Sequence, residues 1–293
     1  MTRIATALLL LLMFTAAGGC DSAGESDGKS KPQPKIPGPG EIVLVDDLHA
    51  ALGRFNPNYN GQARIDLGPK GNIVSVAVEQ GDVADLRPLT HLPLKTLDLR
   101  SSQVSDLEPL RGMPLVELYL EGTAVTDLGP LDGAPLEKFY LSGTAVSDLG
   151  PLAKSRLVEL NLLGTKVRDL SPLADLPLEM LWLNDTPVED ISPLKDAPLV
   201  SLTLAGTRVS DLSPLSRSRL QRLHIGGTPV SDLTPLEGLP LTRLVFDPSR
   251  IKKGLDVVRK MTTLNELGLD LNTLMRPEQF WKRYDSGELG AKR

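Results

Sequence analysis

Residues 115–135 read LVELYLEGTAVTDLGPLDGAP and residues 136–156 read LEKFYLSGTAVSDLGPLAKSR. The second stretch follows the first place for place at an offset of 21 residues. The frame runs outward from this pair without a slip. Leu94, Leu115, Leu136, Leu157, Leu178, Leu199, Leu220 and Leu241 all fall 21 residues apart, and Ile73 adds one unit at the front. Self-similarity at such a period marks a solenoid, in which each unit buries its apolar face against its neighbours.

Within a unit the fourth and sixth places are apolar, as in Leu118 and Leu120 or Phe139 and Leu141. Alternation of this kind predicts a short strand with period two. Strands recurring at one spacing with a return path between them must pair in parallel. The return path carries Asp at the thirteenth place (Asp106, Asp127, Asp148 and onward) and Pro at the sixteenth (Pro109, Pro130, Pro151 and onward). An Asp ahead of Leu-x-Pro-Leu reads as the cap of a single helical turn, and proline forbids a longer helix. A 3₁₀ turn is the expected result. The ninth place holds Ser102 and then Thr123, Thr144, Thr165, Thr186, Thr207 and Thr228, a ladder of hydroxyls able to bond to the turn after each strand.

The pattern LxxLxLxGTxVxDLxPLxxxP resembles leucine-rich repeats of the internalin-like bacterial class over about residues 73–269. It departs from that class in placing Thr where an Asn ladder is usual. It is also similar to repeat regions found beside bacterial serine/threonine kinases, which share the Gly-Thr-x-Val-x-Asp-Leu-x-Pro-Leu run and an ending like Phe280-Trp281-Lys282-Arg283-Tyr284. No kinase domain fits in this chain. The resemblance implies an α/β solenoid with short parallel strands on a concave face, 3₁₀ turns on the convex face and helical caps at both ends.

The organisation along the chain follows. Residues 1–19 carry Arg3, an uncharged apolar run and a small-residue stretch, the layout of a signal peptide. Ala16-Ala17-Gly18-Gly19 before Cys20 resembles the lipobox of bacterial lipoproteins, although Ala17 stands where that family prefers Leu. The resemblance implies lipidation of Cys20, the only cysteine of the chain. Residues 20–40 are rich in Gly, Pro and Ser and read as a disordered tether. Residues 41–72 form an N-terminal cap, with a helix expected over 43–55 and stopped at Asn56-Pro57-Asn58. Nine units of about 21 residues fill 73–263, and 264–293 supply a last strand and a capping helix.

The chain has 293 residues and a net charge of −5, which argues against nucleic acid as a partner. One cysteine and three histidines (His49, His91, His224) exclude a disulfide framework and a zinc-cysteine cluster. No Ser-His-Asp or Cys-His arrangement is evident, so no enzyme, cofactor or metal site is expected. The Asp ladder offers one carboxylate per unit, each engaged as a cap, and does not supply the converging oxygens of a calcium site.

The fifth place points away from the core. In order it holds Ala77, Asp98, Tyr119, Tyr140, Asn161, Trp182, Thr203, His224 and Val245. Three of the chain's eleven Phe, Trp and Tyr residues lie in this column. Such stripes are enriched at interfaces. The third place adds Glu117, Lys138, Glu159, Met180, Ser201, Arg222 and Arg243. The candidate partner-binding residues are therefore Tyr119, Tyr140, Asn161, Trp182, His224, Glu117, Lys138 and Arg222. The expected molecule is an exported, lipid-anchored monomer, facing the periplasm or cell surface, that binds a protein on its concave sheet. A glycan binder and a self-associating envelope component are the competing readings.

Overall fold

The computed structural model describes residues 35–42, 44–78 and 83–289. Residues 1–34, which hold the expected signal peptide, Cys20 and most of the tether, lie outside the described residues. The chain from Lys35 onward forms one compact unit.

It begins with helix α1 (Val45–Phe55), which buries Leu48, Ala51, Leu52 and Phe55. That spacing of three and four is one face of a helix. The Asp47 carboxylate reaches back to accept from the Leu44 N–H at 3.2 Å, which satisfies one of the open donors of the first turn. Asn56 ends the helix and joins it to the first repeat. Its Oδ1 accepts from the Ala84 and Asp85 N–H groups at 2.9 Å each, and its Nδ2 donates to the Asp85 carbonyl at 3.0 Å.

One strand follows that lies outside the repeat, paired with the strand of the first unit. Strand β1 (Arg64–Leu67) pairs antiparallel with β2 (Ile73–Ala77). The turn between them is closed by Gly71 N–H to the Gly68 carbonyl at 2.9 Å. The alternating Ile65 and Leu67 ahead of Gly-Pro-Lys-Gly are the signal for this hairpin, which the cap adds to its expected helix.

From β2 onward the chain climbs in parallel. The strands are β3 (Thr96–Asp98), β4 (Glu117–Tyr119), β5 (Lys138–Tyr140), β6 (Glu159–Asn161), β7 (Met180–Trp182), β8 (Ser201–Thr203), β9 (Arg222–His224), β10 (Arg243–Val245) and β11 (Glu266–Gly268). They form one eleven-stranded sheet in sequence order. Each repeat place pairs with its equivalent, as in Tyr119 with Tyr140 and Leu118 with Phe139.

The core is a stack of aliphatic layers. In the unit that begins at Leu115, Leu118, Leu120, Val125, Leu128 and Leu131 complete the layer and all are buried. Burying side chains of this size is worth about 1.5–3 kcal/mol each, which one unit shares with the units above and below it. The return path holds 3₁₀ turns such as Gly129–Leu131 and Ser171–Leu173. The Asp of each unit sits one residue ahead of the leucine that precedes the turn. It accepts from the N–H two residues on, at 2.8 Å for Asp127 to Gly129 and for Asp169 to Ser171. The Thr ladder bonds inside its own unit: Thr123, Thr165, Thr186, Thr207 and Thr228 each donate to the carbonyl three residues back at 2.7 Å. The Ser102 hydroxyl, at the head of that ladder, is buried without a partner.

At the far end the spacing slips because helix α2 (Leu255–Lys260) is inserted between β10 and β11. Helix α3 (Pro277–Asp285) then seals the core with Phe280, whose ring centroid lies 5.6 Å from that of Phe246. Arg259 of α2 sits over the Trp281 ring at 4.6 Å and pairs with Asp285, which ties the two helices together. Among the described residues no helix is long and apolar enough to cross a membrane.

Candidate interaction face

The fifth-place column occupies the open side of the sheet, because its residues alternate with the buried fourth and sixth places. Tyr119, Tyr140 and Trp182 are half-buried there. Tyr119 and Tyr140 stack with ring centroids 5.1 Å apart and planes inclined by 25°. Tyr140 and Trp182 follow at 6.1 Å and 35°. The far side of Tyr119 is covered by Arg100, whose guanidinium carbon lies 5.6 Å from the ring centroid. Arg100 is itself fixed by Asp98, with Nε donating to Oδ1 at 3.0 Å and Nη2 to Oδ2 at 2.6 Å. The result is a line of four planar groups in contact, closed at the Arg100 end.

The third-place residues hold the phenols. The Tyr119 hydroxyl donates to Glu117 at 3.2 Å and the Tyr140 hydroxyl to Glu159 at 2.6 Å. Lys138 lies between those two carboxylates, 3.7 Å from each. Burial pushes the Tyr119 phenol up to about 12, with the Glu117 carboxylate adding to the effect. Burial and the hydrogen bond to Glu159 push the Tyr140 phenol up as well. Both rings therefore remain neutral at physiological pH. Burial also raises the Glu121 carboxyl, and its Oε2 is covered without a partner.

Beyond Trp182 the column opens into a hollow of about 260 Å³. Trp182, Thr203, His224 and Val245 line it along the column, Met180, Arg222 and Arg243 along one side, and Leu271 completes the wall. Arg243 pairs with Glu266, whereas Arg222 is exposed and has no ion pair among the described residues. Burial lowers the His224 imidazole, partly opposed by the Asp270 charge.

The structure thus brings Tyr119, Tyr140, Asn161, Trp182, Glu117 and Lys138 into one contiguous group. Arg222 and His224 lie apart from it, at the hollow. One position differs from the sequence reading: Val245, expected on the open face, is fully buried. The segment after β11 turns back over this end, held by a backbone pair between Leu267 and Met275 at 2.9 Å. Its Leu269 carbonyl lies 3.5 Å from the Cβ position of Gly226. Leu271, half-exposed on this segment, escaped the sequence reading because it belongs to no repeat place. Among the described residues no three His, Cys, Asp or Glu side chains are placed to hold a metal ion.

The solved structures give this geometry a context. The chain is similar to an internalin (inlF) from Listeria monocytogenes, at 24% identity and a TM-score of 0.58, over 66% of this chain and 66% of that one. It is similar to an internalin C2 (inlC2) from the same species, at 28% identity and a TM-score of 0.58, over 60% of this chain and 81% of that one. The fold is an internalin-like leucine-rich-repeat solenoid. No protein-family model and no curated protein matches the sequence. Leucine-rich-repeat solenoids display an extended sheet rather than a deep cleft. The fold supports a protein-interaction scaffold on those grounds.

Proposed function

We propose that this chain is an exported, lipid-anchored leucine-rich-repeat protein that binds another protein on the open face of its sheet, without catalysing a reaction. The observation that carries the binding reading is the line formed by Tyr119, Tyr140 and Trp182, held half-exposed by Asp98, Glu117 and Glu159. Rigid aromatic groups lose little conformational entropy on binding and are enriched among interface hot spots. Asn161, Glu117 and Lys138 would form the polar surround, with Arg222 and His224 at the end of the contact. The anchor reading rests on the sequence: the apolar run of residues 4–17, the small residues before Cys20 and the tether to residue 40. The domain would act as a monomer, held off the membrane by the tether.

A crosslinking pull-down from a cell-envelope extract tests the binding half, comparing the full chain with its Tyr119→Ala/Tyr140→Ala/Trp182→Ala variant. A partner captured by wild type and lost in the variant is expected, since each hot-spot truncation costs about 2 kcal/mol or more. Equal capture by both proteins sinks the assignment to this face. Membrane fractionation of Cys20→Ala tests the anchor. Its release into the soluble fraction is expected, and unchanged partitioning would remove the lipid from the reading.

A further inference from the structure

The ring stack is closed at one end and open at the other. Arg100 covers Tyr119, whereas among the described residues Trp182 has a ring contact with Tyr140 alone. The next column place toward the C-terminus is Thr203, a small residue, and the one after it is His224. Trp182 and His224 stand two strands apart, about 9.6 Å at the usual strand spacing. A planar group with a van der Waals contact of about 3.5–4 Å on each face needs about 7–8 Å of that distance. Trp182 leans toward Tyr140, so the slot over Thr203 is at least wide enough to admit a planar group.

The chemistry around the slot narrows the occupant. Leu271 makes one wall apolar. The charged groups that line the hollow are Arg222 and Arg243, and Glu266 already neutralises Arg243. Arg222 is left as an exposed cation at the rim. Thr203 Oγ1 and His224 Nδ1 lie covered at the base with no hydrogen-bond partner. A side-chain rotation that turned either toward an incoming hydroxyl would gain a bond and lose none.

We propose that the hollow between Trp182 and His224 receives an aromatic side chain of a protein partner, next to a carboxylate of that partner which pairs with Arg222. The inserted ring extends the existing stack by one member, and the carboxylate supplies the opposite charge that Arg222 does not find among the described residues. This inference rests on the reading of the sheet face as a protein-docking surface, and assigns the chemistry of its partner.

The test is selection of a random dodecapeptide display library on the folded full chain. The selected peptides are then assayed on Thr203→Trp, which fills the slot, and on Arg222→Glu. Both positions are on the open face, and an unchanged melting temperature verifies that the variants fold. The expected result is enrichment of Tyr, Trp or Phe adjacent to Asp or Glu. Affinity should fall about tenfold or more in each variant, the effect of filling a pocket or reversing a partnered charge. Enrichment without an aromatic-acidic pair overturns the proposal, as does failure to enrich any peptide. Peptides that survive Thr203→Trp but are lost in Tyr119→Ala/Tyr140→Ala also overturn it, while leaving the face itself as a docking surface. Binding of an acidic glycan with no peptide selected would replace the protein partner by a carbohydrate.

Discussion

Tyr140 and Trp182 belong to strands separated by a third, yet their ring centroids lie 6.1 Å apart. Strands two steps apart are about 9.6 Å from each other, so the two rings lean together across Asn161. Asn161 leaves them room because its side chain turns down to its own loop, where Oδ1 accepts from the Leu163 N–H at 3.1 Å. The rings thereby use their faces on each other and present edges outward. A flat sugar would find few free ring faces along this line, whereas protein side chains can pack against its edges and its open end.

The same packing predicts a late alkaline titration. Burial first, then Glu117, raises the Tyr119 phenol to about 12, and burial with the Glu159 hydrogen bond raises Tyr140. A raised folded value means that the stabilisation is fully present below the unfolded value of about 10 and is lost as the pH rises through the folded one. Ultraviolet titration should show phenolate forming late, together with loss of structure. Tyr119→Phe/Tyr140→Phe should remove that part of the late absorbance step. Full ionisation of the wild type by about pH 10.5, near the range of free tyrosine, would contradict the packing.

Asn56 gives a prediction about folding. It is buried, and its side chain bonds to backbone groups of the first repeat in both directions. Asn56→Ala leaves the part-buried Ala84 and Asp85 N–H groups without their acceptor, and the loss of such a hydrogen bond costs about 0.5–1.5 kcal/mol. The loss should be local to the N-terminal end, since each unit contacts mainly its neighbours. Hydrogen exchange should accelerate in α1, β1 and β2 while β7 to β10 remain protected. Uniform acceleration along the chain would show that the cap and the repeats unfold together.

Much of the fold was legible because the repeat is arithmetic. Each of Leu118, Leu120 and Pro130 recurs at 21 residues, so strand, turn and core follow from one unit. What lay outside the period was not legible. Strand β1 pairs antiparallel, helix α2 interrupts the frame, and the segment that carries Leu271 turns back over Val245. Nor does the order Tyr-Tyr-Asn-Trp state that the rings lean together or that Arg100 caps them. Those relations depend on side-chain rotation, and period two assigns only a face.

The eighth place of each unit supplies a stability series. Gly122, Gly143, Gly164, Gly206 and Gly227 adopt φ between +70° and +75°, and Ser101 and Asp185 take φ of 58° and 57° at the same place. A left-handed backbone costs a residue with a Cβ about 1–2 kcal/mol relative to glycine. Ser101→Gly should therefore raise the midpoint of urea unfolding. Gly143→Ala should lower it, although a Cβ there would meet nothing closer than 3.9 Å. Equal midpoints for Gly143→Ala and wild type would show that the turn can relax out of the left-handed region.

The Asp ladder predicts the acid limb of the stability curve. The Ser171 backbone N–H and then its hydroxyl hold the Asp169 carboxyl below its ordinary value, and Ser213 does the same for Asp211. For Asp232 the Thr234 hydroxyl leads, followed by its N–H. A depressed folded value means that the stabilisation is present above the unfolded value of about 3.9 and is lost as the pH falls through the folded one. These groups are exposed, so each contribution is small and the three together give a modest effect. Melting temperature should fall modestly as the pH drops below about 4. Asp169→Asn/Asp211→Asn/Asp232→Asn should flatten that fall, because an amide oxygen can accept the same N–H bond but does not titrate. An acid limb unchanged in the triple variant would assign acid sensitivity to other carboxylates, with Asp85, also lowered and paired with Arg87, the next to substitute.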